Sequence, residues 1–189
     1  MPFQIPDDYS WVIASVGFYT FASYTGSFGV GAARSKVFKN NAELWKKKTV
    51  VEYAEAHKKA IPGGEIDKQG YPDMGNGLIA HELEYADWLA INNAQRVHYK
   101  YVEEAGVLVP CIMATGLIFP RTAAVLGAVN TVGALIWGHF YAKKGSKGRY
   151  AGGLGMVRPL SGLVIMLTTI YAGLSKAGAF AAIQALIPK

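Results

Sequence analysis

Asn93-Ala-Gln-Arg96-Val-His98-Tyr-Lys100-Tyr-Val-Glu103-Glu104 runs directly into the apolar stretch Ala105 to Phe119. How this junction is read decides the fold. Ala105 to Phe119 is too short to cross a bilayer alone, which takes about 20 apolar residues. It becomes long enough if the polar segment continues it as one helix from near residue 82. Pro110 would kink that helix without having to end it. On such a helix Arg96, Lys100 and Glu103 recur at i, i+4 and i+7 and share one face. Charges beside or inside a spanning helix are expensive and mark a site.

The rest of the chain agrees with a membrane reading. Of 189 residues, 51% are hydrophobic and 17% charged, below the roughly 25% charged of soluble domains. Trp11 to Ala33, Thr122 to Ala142 and Pro159 to Ser175 carry no charge. With the segment above, they predict an all-α four-helix membrane bundle with spans near 10–33, 82–119, 121–143 and 157–186. Ser23, Gly26, Ser27, Gly29 and Gly31 would let the first span approach a neighbour closely.

Charge sets the expected topology. Nine Lys/Arg lie between Arg34 and Asp87, and five between Lys143 and Arg158. The opposite side has Arg121, Lys176 and Lys189. Fourteen against three is a positive-inside bias that puts the first and third loops in the cytosol or a matrix-like compartment. It also accounts for most of the net charge of +6, so no nucleic-acid partner is expected. No Asp or Glu follows Glu104, which leaves the second half of the chain purely cationic.

The N-terminus has Asp7 and Asp8 but no cation before Arg34, so the first span reads as a retained anchor. Cys111, the single cysteine, can form no intrachain disulfide and reads as a small buried hydrophobe. His81-Glu82-Leu-Glu84 does not have metal-site spacing, and no metal is expected. The long first loop predicts a helix over 41–59, capped by Asn41 and stopped at Pro62-Gly63-Gly64. Its apolar residues Leu44, Trp45, Val51, Tyr53 and Ala54 fit an interfacial helix on the bilayer, or a docking surface for another chain.

Arg96-Val-His98 with Glu103 seven residues past the arginine resembles the second-helix signature of the MAPEG family. These are membrane-associated proteins in eicosanoid and glutathione metabolism. Ala33-Arg34-Ser-Lys36-Val37 resembles the basic end of that family's first helix. Asn76-Gly77 resembles its loop before helix two, and Phe119-Pro120-Arg121 through Gly127 the start of its third helix. Tyr141 with Ser146-Lys147-Gly148-Arg149 resembles its basic loop after that helix.

The resemblance implies a homotrimer of four-helix bundles in the endoplasmic reticulum or a mitochondrial membrane. It implies glutathione, as co-substrate, between neighbouring subunits. Arg34, Arg96 and Arg149 would hold carboxylates, Glu103 the amine, and His98 and Tyr141 would complete the substrate site. Arg149 matches the position that lowers the thiol pKa and so raises the nucleophilic thiolate fraction. The implied activity is a glutathione transferase or peroxidase acting on lipophilic electrophiles or lipid hydroperoxides.

Four positions depart from the family pattern. Lys100 stands where an asparagine is usual, Gly133-Ala134 where a Gly-Arg pair is, Trp137 where a tyrosine is, and Glu104-Ala105-Gly106 where an aromatic-proline pair is. The first loop is also a few dozen residues longer than in compact members. These departures frame an alternative: a catalytically degenerate, accessory structural subunit of a larger membrane complex, such as an organellar respiratory assembly.

Overall fold

A computed structural model describes residues 4–178. The fold is all-α: helix makes up 80% of it, with no strand among the described residues. The described residues form six α-helices: α1 (Tyr9–Arg34), α2 (Ala42–Lys46), α3 (Lys48–Ala60), α4 (Tyr85–Gly116), α5 (Pro120–Lys144) and α6 (Val157–Lys176). A π-helical turn, Ser35–Lys39, extends α1, and 3₁₀ turns cover Gly145–Arg149 and Ala151–Met156.

The helix bounds of α1, α4, α5 and α6 coincide with the expected helical segments to within a few residues where they are described. α4 passes through Pro110 unbroken. Residues 179–186 of the last expected span lie outside the described part. Among the described residues, two helical stretches are long and apolar enough to cross a membrane, Pro120–Arg149 and Gly152–Lys176. α1 has the length, at 26 residues, but the polar Tyr, Ser and Thr residues among its apolar ones keep it out of that pair. The charges of α4 do the same for that helix.

The described residues divide into two compact units, one made of those up to 23 together with those from 100 onward, the other of 24–99. The boundaries fall inside α1 and α4.

In the first unit α5 begins with Pro120, whose fixed φ suits the first helical position. It ends at Gly145, where φ is +59°. Glycines set the helix crossings. A Cβ on Gly116 would lie 2.7 Å from the Val12 side chain, and one on Gly133 would lie 2.8 Å from the Arg158 amide. One on Gly127 would collide with the Ser15 hydroxyl. Within the chain itself, Gly29 and Gly31, two of the small residues late in α1, meet nothing within 4 Å.

Polar pairs join the helices as well. Buried Asn130 donates to the Arg158 carbonyl and the Ser161 hydroxyl, each at 3.0 Å. Thr115 and Thr169 meet at 2.8 Å. The outward faces are apolar: Val125, Val129 and Val132 on α5, and Leu160, Leu163, Leu167, Ile170 and Leu174 on α6.

The second unit has its own core of Val37, Phe38, Leu44, Val50, Ile79, Ala80 and Ile91. Trp45, Tyr53, Ile66, Leu83 and Trp88 pack against it. Burying side chains of this size contributes about 1.5–3 kcal/mol each. The helix expected over 41–59 is in fact two helices, broken at Lys47, where ψ is 134°. On an unbroken helix Leu44 and Val50, six residues apart, would point about 240° apart around the axis. The break lets both enter the core. Lys47 donates to the Glu82 carbonyl at 2.5 Å, which ties the break to the far end of the loop. Asn41 caps α2 as expected, accepting the Leu44 N–H at 3.0 Å. Much of the apolar side expected to face lipid or a partner is taken up within this unit. Val51 is the member left exposed.

Candidate functional site

The junction that opened the reading lies on α4, and the structure builds a charged cluster beside it. Lys100 and Glu104 sit one turn apart and pair at 2.7 Å through Oε1. The other carboxylate oxygen, Oε2, accepts the Arg158 Nε–H at 2.8 Å. Arg158 enters from the first turn of α6 and is 1% exposed. Its guanidinium carbon lies 4.7 Å from the Tyr101 ring centroid and 5.0 Å from that of Trp137. One acid thus engages two cations, and two aromatic faces hold the deeper one by cation–π attraction. The Arg158 Nη atoms have no hydrogen-bond partner, nor has Asn130 Oδ1. A cavity of ≈ 300 Å³ adjoins them, lined by Glu103, Glu104, Leu108, Asn130, Arg158 and Met166 among others.

Arg158 is the residue that sequence reasoning missed. It was counted with the loop cations because it immediately precedes the uncharged run Pro159 to Ser175. One signal was available. Glu104 is the final acid of the chain, so a cation buried farther on must find its carboxylate there or upstream. The Arg158 backbone packs directly against Gly133 of α5.

Three of the expected site residues lie in this unit: Glu103, Tyr141 and Arg149. Tyr141 is buried and stacks on Trp137, with centroids 4.7 Å apart and planes inclined by 22°. Arg149 is exposed, and its guanidinium carbon lies 5.7 Å from the Tyr141 centroid. Gly148 makes this approach possible. A side chain there would run into the Phe140 carbonyl, so the turn after α5 folds tightly against the helix end. Arg149 is thereby returned over Tyr141. Glu103 is exposed and lines the cavity mouth.

The other three, Arg34, Arg96 and His98, belong to the second unit. Arg96 and His98 lie half-buried on α4, and His98 Nδ1 has no hydrogen-bond partner. Arg34 is fully buried. Its guanidinium carbon is 3.9 Å from the Tyr71 centroid and 5.0 Å from that of Phe38. One Nη donates to the Asp73 carbonyl at 2.5 Å, while Nε and the other Nη have no partner. Because Arg34 is fully enclosed, a ligand carboxylate reaches it only if surrounding side chains move.

Asp73 explains why the loop holds this shape. Its carboxylate accepts four backbone N–H bonds, from Gly75, Gly77, Ile79 and Ala80, at 2.7–2.8 Å. Burial pushes the Asp73 carboxyl pKa up. The four donors outweigh that and hold it below the usual carboxylate range. The same loop is fastened to α4 by Asn92, which donates to the Gly75 carbonyl at 2.8 Å.

The chain matches no family model, no curated protein and no solved structure.

Proposed function

We propose that the protein is a multi-pass membrane protein of MAPEG type, resembling microsomal glutathione transferase type 3. In this reading it conjugates or reduces lipophilic electrophiles or lipid hydroperoxides with glutathione. The membrane part is supported by two helices of spanning length and by the outward apolar stripes of α5 and α6. Contiguous exposed apolar surface of that kind is unfavourable in water. The charge bias survives as well. Setting aside buried Arg34 and Arg158 leaves twelve loop cations against three. A homotrimer in the endoplasmic reticulum or a mitochondrial membrane follows from the resemblance alone.

The observation that carries the glutathione part is Arg149 held over Tyr141 at an exposed turn. Arg149 is the residue assigned to stabilise the thiolate. Arg34, Arg96, His98, Glu103 and Tyr141 are the proposed substrate-binding partners. An interaction made only with the reacting state shows in kcat more than in KM. In the Arg149→Ala variant, thiolate absorbance of bound glutathione in ultraviolet difference spectra should fall and kcat should drop more than affinity. Unchanged thiolate absorbance would remove Arg149 from the mechanism.

A second reading has its own support. Glu104 is engaged by both Lys100 and Arg158, and Trp137 lies flat on Tyr141. An indole offers one N–H and no acceptor. These contacts stabilise a bundle without a substrate, as an accessory subunit of a membrane complex requires. Isolation of one copy among unrelated subunits, with no affinity for glutathione, would decide for it.

A further inference from the structure

A groove of ≈ 560 Å³ runs along α1 and α5 in the first unit, away from every residue assigned to glutathione. Its floor is made of small residues, Ala14, Ser15, Ala124 and Ala128. Trp11, Phe18 and Val125 project along its sides and are 64%, 40% and 62% exposed. From Trp11 to Phe18 the groove extends about 10 Å along the helix axis. At one end Asp8 and Arg121 pair at 2.7 Å, with the Arg121 side chain 81% exposed. No side chain caps the N-terminus of α5 beside Arg121, so the helix end adds partial positive charge there. Farther along, the Ser15 hydroxyl is buried in the floor without a hydrogen-bond partner.

We propose that this groove binds one zwitterionic glycerophospholipid, with its phosphate on Arg121 and its ammonium on Asp8. The inference rests on the membrane reading but is independent of the glutathione site. Charge complementarity selects the occupant. An anion alone satisfies Arg121 but faces Asp8, and a cation alone does the reverse. A phosphate and an ammonium joined by a two-carbon bridge match both. The apolar trough then takes an acyl chain. Trp11, beside the ion pair, sits where an indole suits the headgroup level. A chain of methylenes fits between the projecting side chains, whereas a helix 10–12 Å across must displace them.

The test is native mass spectrometry of the purified protein in detergent. Phosphatidylethanolamine, phosphatidylglycerol and diacylglycerol with identical acyl chains are offered at equal concentration. One phosphatidylethanolamine per chain should be retained. Phosphatidylglycerol, which lacks the ammonium, should bind about tenfold more weakly, and diacylglycerol should not persist. Arg121→Gln should weaken phosphatidylethanolamine binding about tenfold. Ala128→Phe, which fills the trough, should abolish it with helicity unchanged by circular dichroism. Should Ala128→Phe lose helicity, Val125→Trp blocks the groove from an already exposed position.

Equal retention of the three lipids would overturn the proposal, because it describes adventitious annular lipid. So would undiminished phosphatidylethanolamine binding in the blocked variants, or a disulfide between copies joining Ala14→Cys to Val125→Cys. Failure of the membrane reading itself shows separately, as release of the protein by an alkaline carbonate wash.

Discussion

The two buried arginines of this molecule, Arg34 and Arg158, are fully enclosed, each against two aromatic rings, yet their charge is met in different ways. Arg158 bonds a carboxylate, Glu104, which it shares with Lys100. Arg34 bonds the backbone carbonyl of Asp73, while the Asp73 carboxylate turns to four backbone amides. The first arrangement binds helices that are far apart in sequence. The second shapes a loop. Charge compensation by a side chain is therefore vulnerable to one substitution. Compensation by backbone is vulnerable mainly at the residue that organises that backbone.

The largest effect should come from Glu104. Removing one partner of a buried ion pair leaves an uncompensated charge and costs about 3–5 kcal/mol. Glu104→Gln should therefore lower the midpoint of thermal unfolding in detergent markedly, and Glu104→Gln with Arg158→Leu should recover much of that loss. A single variant as stable as the parent would show that the aromatic faces alone hold Arg158.

Asp73→Asn should come next. The amide keeps one acceptor oxygen and turns an NH₂ group toward two of the four donors. A cost of about 2–3 kcal/mol is expected, confined to the 24–99 unit. Amide hydrogen exchange at Gly75, Gly77, Ile79 and Ala80 reads it directly. Acid should mimic the substitution. Because the folded-state pKa of Asp73 is depressed, its contribution is complete above the ordinary value of about 3.9 and is lost as pH falls through the lower, folded value. Protection of these amides that is unchanged down through that range would contradict the assignment.

The smallest effect is Asn41→Ala. It removes one cap bond and should cost about 1 kcal/mol, read as faster exchange at Leu44 with the rest of the unit unaltered.

These sites also mark the limit of what the sequence discloses. The long helices are legible because uncharged runs, Pro120 and Gly145 are local signals. The continuity of α4 through Pro110 followed from the length a span requires. Asn41 and the stop at Pro62 are equally local. Lys47 is different. It lies in a run of three lysines that favours helix, and only the shared core of Leu44 and Val50 breaks it. The Asp73 nest reads in sequence as a polar, glycine-rich loop, because its four donors are backbone groups that no residue type announces. The close crossings at Gly116, Gly127 and Gly133 depend on which helices meet, which small-residue spacing within α1 does not reveal. Of the expected site, Tyr141 and Arg149 were named only through the family resemblance, and the entry of Arg158 beside Glu104 was announced by no local signal.

The most direct test of the functional account is a calorimetric titration of glutathione into the detergent-solubilised protein and its Arg96→Ala variant. The account predicts saturable binding by the parent and loss of about 2–5 kcal/mol in the variant, which places it below detection. A parent that releases no heat, or a variant that binds as tightly as the parent, would contradict it.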